Sequence, residues 1–330
     1  MAKGKTSSKN NLLSVDVGIS LSSEATVKQR EMAVSDMTIQ DALEIVLRQM
    51  KLSGSRPRTM QCYQIDVTAF MQTTGATVLA DITVESIYKW LGTYDKVKPI
   101  TLRSRLKTLK AFLGKCNVNG WLPVQFWRSI HIKVDEEEKF GATEKDVKLL
   151  LSMLDLSDFV ELRDAVAILL MFKAGLRVAT LCGLEERHVD LQNECLNLTP
   201  DIMKNHKALK MPINNQICQL LAVLIQTNNK IREHTGDSNS LIFISRRGGE
   251  AQSAYNHNVI QQRLRIYAKR WKLDNINPHG LRRGFAQNLL HKGASVPIIS
   301  KALGHSDLAV TTKYLYLTKE EVADSLRDFV

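Results

Sequence analysis

Pro278-His-Gly-Leu-Arg-Arg-Gly-Phe-Ala286, and beyond it Leu303-Gly-His-Ser-Asp-Leu-Ala-Val-Thr-Thr-Lys-Tyr314, are the stretches on which the reading of this chain turns. Proline has a fixed φ and no N–H, so it suits the first turn of a helix. A helix is therefore expected over 280–292 with Pro278 at its mouth, and His279 and Arg282, three positions apart, then share that first turn. A further helix is expected over 297–303, interrupted by Gly304 just before His305. Taken singly these residues say little. A His/Arg pair at this spacing arises by chance, Gly-His has little specificity, and Tyr314 reads equally well as a core tyrosine with a hydrogen-bonded hydroxyl.

Working outward, Asp158 to Lys173 is strongly apolar (Ala165, Val166, Ile168, Leu169, Leu170, Phe172) and reads as a helix stopped at Gly175. Arg177 follows in apolar surroundings, where a guanidinium requires a partner, either an internal carboxylate or an anion. Thr143 with Asp146 marks a helix start. Cys195 to Ile213 alternates weakly, with Asn205-His206 as a hairpin turn beside Lys204, and Leu241 to Ser245 is the other strand signal. Helices are expected over 258–272 and 319–329, the last opened by a Thr318/Glu321 capping box.

Toward the N-terminus, Ile39, Ala42, Leu43, Val46, Leu47 and Met50 share one helix face, and Ser53-Gly54-Ser55 ends it. Further helices follow Pro57 (Tyr63, Val67, Phe70, Met71), cover 84–91, and cover 101–116. The last carries a stripe of Leu102, Leu106, Leu109, Phe112 and Leu113. Arg103, Lys107 and Lys110 lie opposite, flanked by Arg105 and Lys115. With every charge positive, no ion pair within the helix accounts for that face; it is either simply solvated or laid along phosphates. The expected organisation is a loose arm over 1–35, a compact helical unit over 36–130, and a linker over 131–142 containing the acidic run Asp135 to Glu138. A mixed α/β unit over 143–330 follows, mostly helical with a small antiparallel sheet. The class is mainly α.

The net charge is +11, most of it within residues 1–135, which favours a polyanionic partner. No apolar run approaches the roughly 18 residues that span a bilayer, so no membrane partner is expected. The basic, polar N-terminus has no hydrophobic segment behind it, which argues against secretion and for a cytoplasmic location. Five cysteines, Cys62, Cys116, Cys182, Cys195 and Cys218, are scattered without a C-x-x-C pair; reduced thiols and no zinc site are expected.

Jointly, the segments acquire a meaning that none has alone. Arg177, Lys204, His279, Arg282 and His305 supply cations and proton carriers suited to one phosphate, and Tyr314 supplies an oxygen nucleophile. No carboxylate cluster fit to hold a Mg²⁺ pair accompanies them, so neither metal nor cofactor is expected. These segments resemble the tyrosine recombinase (phage integrase, Xer-like) family. The match lies in the 278–286 box, its separation from Leu303-Gly304-His305-Ser306, the nine residues from His305 to Tyr314, and Lys204 eight residues before Pro212. It covers roughly 140–330, and extends to 36–130 only as that family's helical core-binding (SAM-like) domain.

The resemblance implies a site-specific recombinase in which Tyr314 forms a 3′-phosphotyrosyl bond and frees a 5′-hydroxyl. Arg177 and Arg282 would clamp the phosphate, Lys204 would protonate the leaving oxygen, His279 would assist as acid/base, and His305 would hydrogen-bond the phosphate. It also implies double-stranded DNA with a specific core site as partner, a tetramer passing through a Holliday junction, a nucleoid location, and room for accessory DNA-binding proteins. Arg56, Arg58, Arg103, Arg105, Lys107, Lys110 and Arg283 are the expected DNA contacts. Thr180 stands where the family often has an acid, which would alter the orientation of Arg177. Tyr316 is a rival nucleophile, and the terminal helix would dock on a neighbouring protomer or on its own unit. A type IB topoisomerase and a non-cutting DNA-binding relative are the competing functions. Integration, cointegrate resolution and chromosome-dimer resolution are all compatible with the resemblance, and the lack of a clear additional arm-binding domain leans toward a simple recombinase or a mobile-element resolvase.

Overall fold

A computed structural model describes residues 37–135, 139–254, 257–305, 307–312, 314–315 and 327. The readings for 1–35, for Glu136 to Glu138, for Tyr316 and for the helix over 319–329 with its Thr318/Glu321 box lie outside the described residues. The chain divides at Glu136 into two compact units.

The first unit contains α1 (Ile39–Leu52), α2 (Pro57–Thr74), α3 (Val84–Gly92) and α4 (Pro99–Val118). Local chemistry sets the boundaries. Thr38 caps α1 by accepting from the Asp41 N–H at 3.0 Å, Thr83 and Ser86 cap α3 reciprocally, and Pro57 and Pro99 open α2 and α4. Ile39, Val46, Val67, Phe70, Trp90, Leu109 and Phe112 form the fully buried core, with Phe70 and Trp90 edge to face at 5.8 Å.

Two of the basic residues on α4, both expected to contact DNA, are engaged within this unit. Arg105 donates to the Tyr94 hydroxyl at 2.9 Å, lies over its ring, and faces Asp66 at 3.9 Å. Lys110 donates to the carbonyls of Arg128 and Ile130, at 3.2 and 2.7 Å, anchoring the segment that follows the helix. The partial burial this entails pulls the Lys110 pKa down. Arg103 is half-buried, while Lys107, Arg56 and Arg58 are exposed.

The second unit contains α5 (Glu144–Ser152), α6 (Phe159–Lys173), α7 (Val178–Cys182), β1 (Val189–Asp190), β2 (Cys195–Leu198), β3 (Leu209–Pro212) and α8 (Asn215–Thr235). They are followed by β4 (Gln252–Ala254), β5 (His257–Asn258), α9 (Val259–Trp271), α10 (Pro278–His291), α11 (Val296–Ala302) and α12 (Leu308–Thr312). The protein is mainly helical, with a three-stranded antiparallel sheet of order β1-β2-β3 in which Leu196 pairs with Met211. Helix α6 is apolar all round because α8, α9 and α10 pack on it. Two of its four charged residues, Arg163 and Asp164, are buried in a satisfied network. Asp164 accepts from Arg163 at 2.8 Å, from Arg263 at 2.8 Å and from the Tyr267 hydroxyl at 2.8 Å, and Arg163 also donates to the Ile244 carbonyl at 2.9 Å.

The sheet departs from expectation in detail. Leu241 to Ser245 forms isolated bridges only, among the described residues. β1 and the β4–β5 pair are too short to show an alternation. Asn205-His206 is not a tight hairpin turn but part of a longer connection, 199–208, in which His206 takes a positive φ of 53°.

Candidate active site

The cluster is built at the ends of helices. α6 ends in Gly175 with φ +63°, and a Cβ there would run into the Phe285 ring. Only glycine suits both demands, and the resulting turn aims the Gly175 carbonyl inward and starts α7 at Val178, with Arg177 as its N-cap. Asn277 caps α10, accepting from the Gly280 N–H at 2.9 Å, so His279 and Arg282 emerge from its first turns. Gly280 lies so close to Asn275 that no side chain fits, and its carbonyl accepts from the Ala142 N–H at 2.9 Å.

Arg282 is only 4% exposed. Its guanidinium donates to the carbonyls of Gly175 and Leu303 and lies 3.5 Å from His305 Nε2. Its Nε is buried with no hydrogen-bond partner among the described residues, a cost normally avoided in a core. Burial, and then the charge of Arg177, push its pKa down while Tyr314 pulls it up; guanidinium nonetheless stays charged at neutral pH. Arg177 Nη2 reaches the Gly304 carbonyl at 3.5 Å, and Asn205 Nδ2 donates to the same oxygen at 3.3 Å. Lys204, next to Asn205, is exposed.

The two histidines are held neutral. His279 keeps solvent access, yet the protein packed around its ring, then Arg283, Arg282, Arg177 and Lys204, lower its pKa. His305 is pushed down to about 4 by burial and by Arg282 and Arg177. Its Nδ1 pairs with the Thr311 hydroxyl at 2.9 Å, and its ring lies 5.2 Å from that of Tyr314 at 60°.

The structure thus gathers Arg177, His279, Arg282, His305 and Tyr314 into one cluster, with Lys204 near enough for its charge to act on His279. Arg283, expected at DNA, has its guanidinium 5.6 Å over the Tyr314 ring, in cation–π range. Thr180 is 2% exposed, and its hydroxyl donates to the Ile202 carbonyl at 3.1 Å. Asn205 and Thr311 carried no signal as site residues, the first reading as a turn former and the second as one more helix residue.

A family model described as the phage integrase family matches residues 142–321. Among curated relatives, tyrosine recombinase XerC of Actinobacillus succinogenes is 29% identical over 227 residues, covering 68% of this chain and 72% of the relative. XerD of Chlamydia trachomatis is 25% identical, covering 84% and 91%. Among solved structures, the Tn1549 transposon integrase in complex with transposon right end DNA is similar with a TM-score of 0.69. It is 15% identical, covering 87% of this chain and 99% of that one. A lambda integrase tetramer bound to a Holliday junction gives 0.63 at 17% identity, covering 87% and 80%. At such identities these structures speak to fold alone.

Proposed function

Because the chain belongs to the phage integrase family, we propose that it is a site-specific DNA recombinase whose nucleophile is Tyr314. The phenolic oxygen bonds to the scissile phosphorus, the bond from phosphorus to the 5′-oxygen breaks, and a 3′-phosphotyrosyl link and a free 5′-hydroxyl result. Arg177 and Arg282 take the non-bridging oxygens, as planar forks do, and stabilise charge as it builds. His279, neutral at physiological pH, takes the phenolic proton. Lys204 gives a proton to the leaving 5′-oxygen, and His305 hydrogen-bonds the phosphate. The phosphoryl link retains the bond energy, so a 5′-hydroxyl of a second duplex reverses the step without ATP.

The observation that carries this reading is the gathering, in a single chain, of Arg282 3.5 Å from His305 and of the His305 ring 5.2 Å from that of Tyr314. In this reading the 36–130 unit is the core-binding domain and meets DNA through Arg56, Arg58, Arg103 and Lys107. The active assembly is a tetramer on two duplexes of specific site, open to accessory DNA-binding proteins and working at the nucleoid. The lambda integrase tetramer on a Holliday junction supports that assembly.

The test uses a nicked duplex carrying the site that the protein itself selects from randomised DNA. The protein should form a covalent adduct, and Tyr314→Phe should bind equally and form none. Adduct in that variant would move the nucleophile to Tyr316. Efficient relaxation of a plasmid lacking the selected site would favour a topoisomerase.

A further inference from the structure

We infer that Thr180 and Asn205 are positioning residues that hold Lys204 at the scissile phosphate; this rests on Lys204 being the general acid. Lys204 sits in the 199–208 connection, outside the strand pairing, on a side chain with four rotatable bonds. A proton donor must be within hydrogen-bond reach of its acceptor, so the backbone that carries it has to be fixed by something other than the sheet.

The structure supplies a tether on each side. Ahead of Lys204, the buried Thr180 hydroxyl donates to the Ile202 carbonyl at 3.1 Å and lies 4.0 Å from the Met203 sulfur. Met203 is itself only 4% exposed. Behind Lys204, the Asn205 amide donates at 3.3 Å to the Gly304 carbonyl, the oxygen that Arg177 also approaches. The loop then folds back, the His206 N–H donating to the Met203 carbonyl at 3.1 Å. Lys204 is therefore an exposed residue whose Cα is held between two anchored neighbours. The side chain at position 180 has to be a donor, which the threonine hydroxyl is; an ionised carboxylate only accepts and could not hold a carbonyl.

The two tethers differ in reach. Thr180 ties the lysine to the helix that starts at Arg177, and Asn205 ties it to the segment leading to His305. Loss of either should misplace the proton donor while leaving the nucleophile and the guanidinium of Arg282 where they are.

A substrate that needs no proton donor separates this role from general damage. In the selected nicked duplex, sulfur replaces the 5′-bridging oxygen of the scissile phosphate. The P–S bond then breaks to a thiolate that leaves unprotonated, since thiols ionise near roughly pH 8.5 and alcohols near about 15. Single-turnover cleavage is measured on both duplexes. Lys204→Ala should lose about 10² to 10⁴-fold on oxygen and recover to within a few-fold of the unmodified protein on sulfur. Thr180→Val and Asn205→Ala should each lose about tenfold or more on oxygen and recover likewise on sulfur, with Thr180→Ser close to the parent on both.

Equal slowing on the two duplexes, or no slowing on either, overturns the positioning role. Asn205→Ala provides this test on a half-buried residue should the Thr180 variant fold poorly. Failure of sulfur to rescue Lys204→Ala overturns the general-acid reading itself, and the tether with it; that failure is recognisable because Thr180 and Asn205 are intact in that protein.

Discussion

His305 should make the fold lose stability as the medium is acidified from pH 6.5. Its ordinary value of 6.5 is pushed down to about 4 in the folded protein, by burial first and then by Arg282 and Arg177. The unfolded chain therefore binds a proton that the folded chain refuses, and stability falls with pH between those two values. The contribution is intact above 6.5 and is lost progressively toward 4. Each pH unit of that interval is worth about 1.36 kcal/mol, which sets a ceiling near 3 kcal/mol. Partial solvent access of the ring reduces the expectation to about 2 kcal/mol. His279 is depressed in the same direction and adds to the trend. Lowered carboxylates such as Glu144 complicate the acid limb, so the measurement is a difference. Urea unfolding of the parent and of His305→Asn, which keeps an amide for Thr311, is compared from pH 7.5 to 4.5. The parent should lose about 2 kcal/mol relative to the variant over that span. A difference that is flat with pH, or that favours the parent in acid, would refute the claim that burial and the two guanidinium groups hold this ring neutral.

Asp164→Asn should cost about 3 to 5 kcal/mol, because it strands Arg163 and Arg263 around a neutral partner in the core; denaturant midpoints measure it. Neutralising Arg103 and Lys107 should lower the slope of log affinity against log salt by about 2 if both meet phosphate. Neutralising Arg105 and Lys110 should instead lower the melting temperature, since these two make contacts within their own unit. Gly175→Ala should destabilise the protein and depress adduct formation together, because φ +63° and the Phe285 ring both exclude a side chain. Wild-type melting and cleavage in that variant would sink the account of the turn.

The helices were legible because each carries its own information. Thr38, Thr143 and Asp158 cap α1, α5 and α6 as their side-chain chemistry dictates, and apolar spacing marks the buried faces. The sheet was half legible. Two-residue strands such as β1 and β5 are too short for alternation to register, and Leu241 to Ser245 bends at Ile242 and Phe243 and pairs only through isolated bridges. Within the site, residues that bring special chemistry stood out by type and spacing, while those that position them did not. Asn205 is chemically an ordinary turn residue until the fold lays Gly304 against it. Arg283, expected at DNA, carried no sign of its neighbour in the sequence; only the fold brings the Tyr314 ring to 5.6 Å from its guanidinium.

This division has a physical cause in how the guanidinium of Arg282 is solvated. A buried cation needs partners, and a carboxylate would be the strongest, but it would also cancel the charge that an incoming phosphate must meet. Carbonyl dipoles avoid that conflict: the oxygens of Gly175 and Leu303 satisfy N–H donors while leaving the net charge of Arg282 intact. Because every residue has a carbonyl, such partners leave no mark in the sequence beyond the glycines that allow the chain to turn and aim them. The same oxygens fix segments distant in sequence to one another. Gly175 ends α6, Leu303 follows α11, and Gly304 is approached by both Arg177 and Asn205. Substituting a carboxylate near Arg282 would thus be expected to stabilise the empty site and weaken phosphate capture at once. Replacing Gly304, whose φ is +58° and whose absent Cβ leaves room for Asn205 and Met203, would instead loosen several segments together without changing any charge.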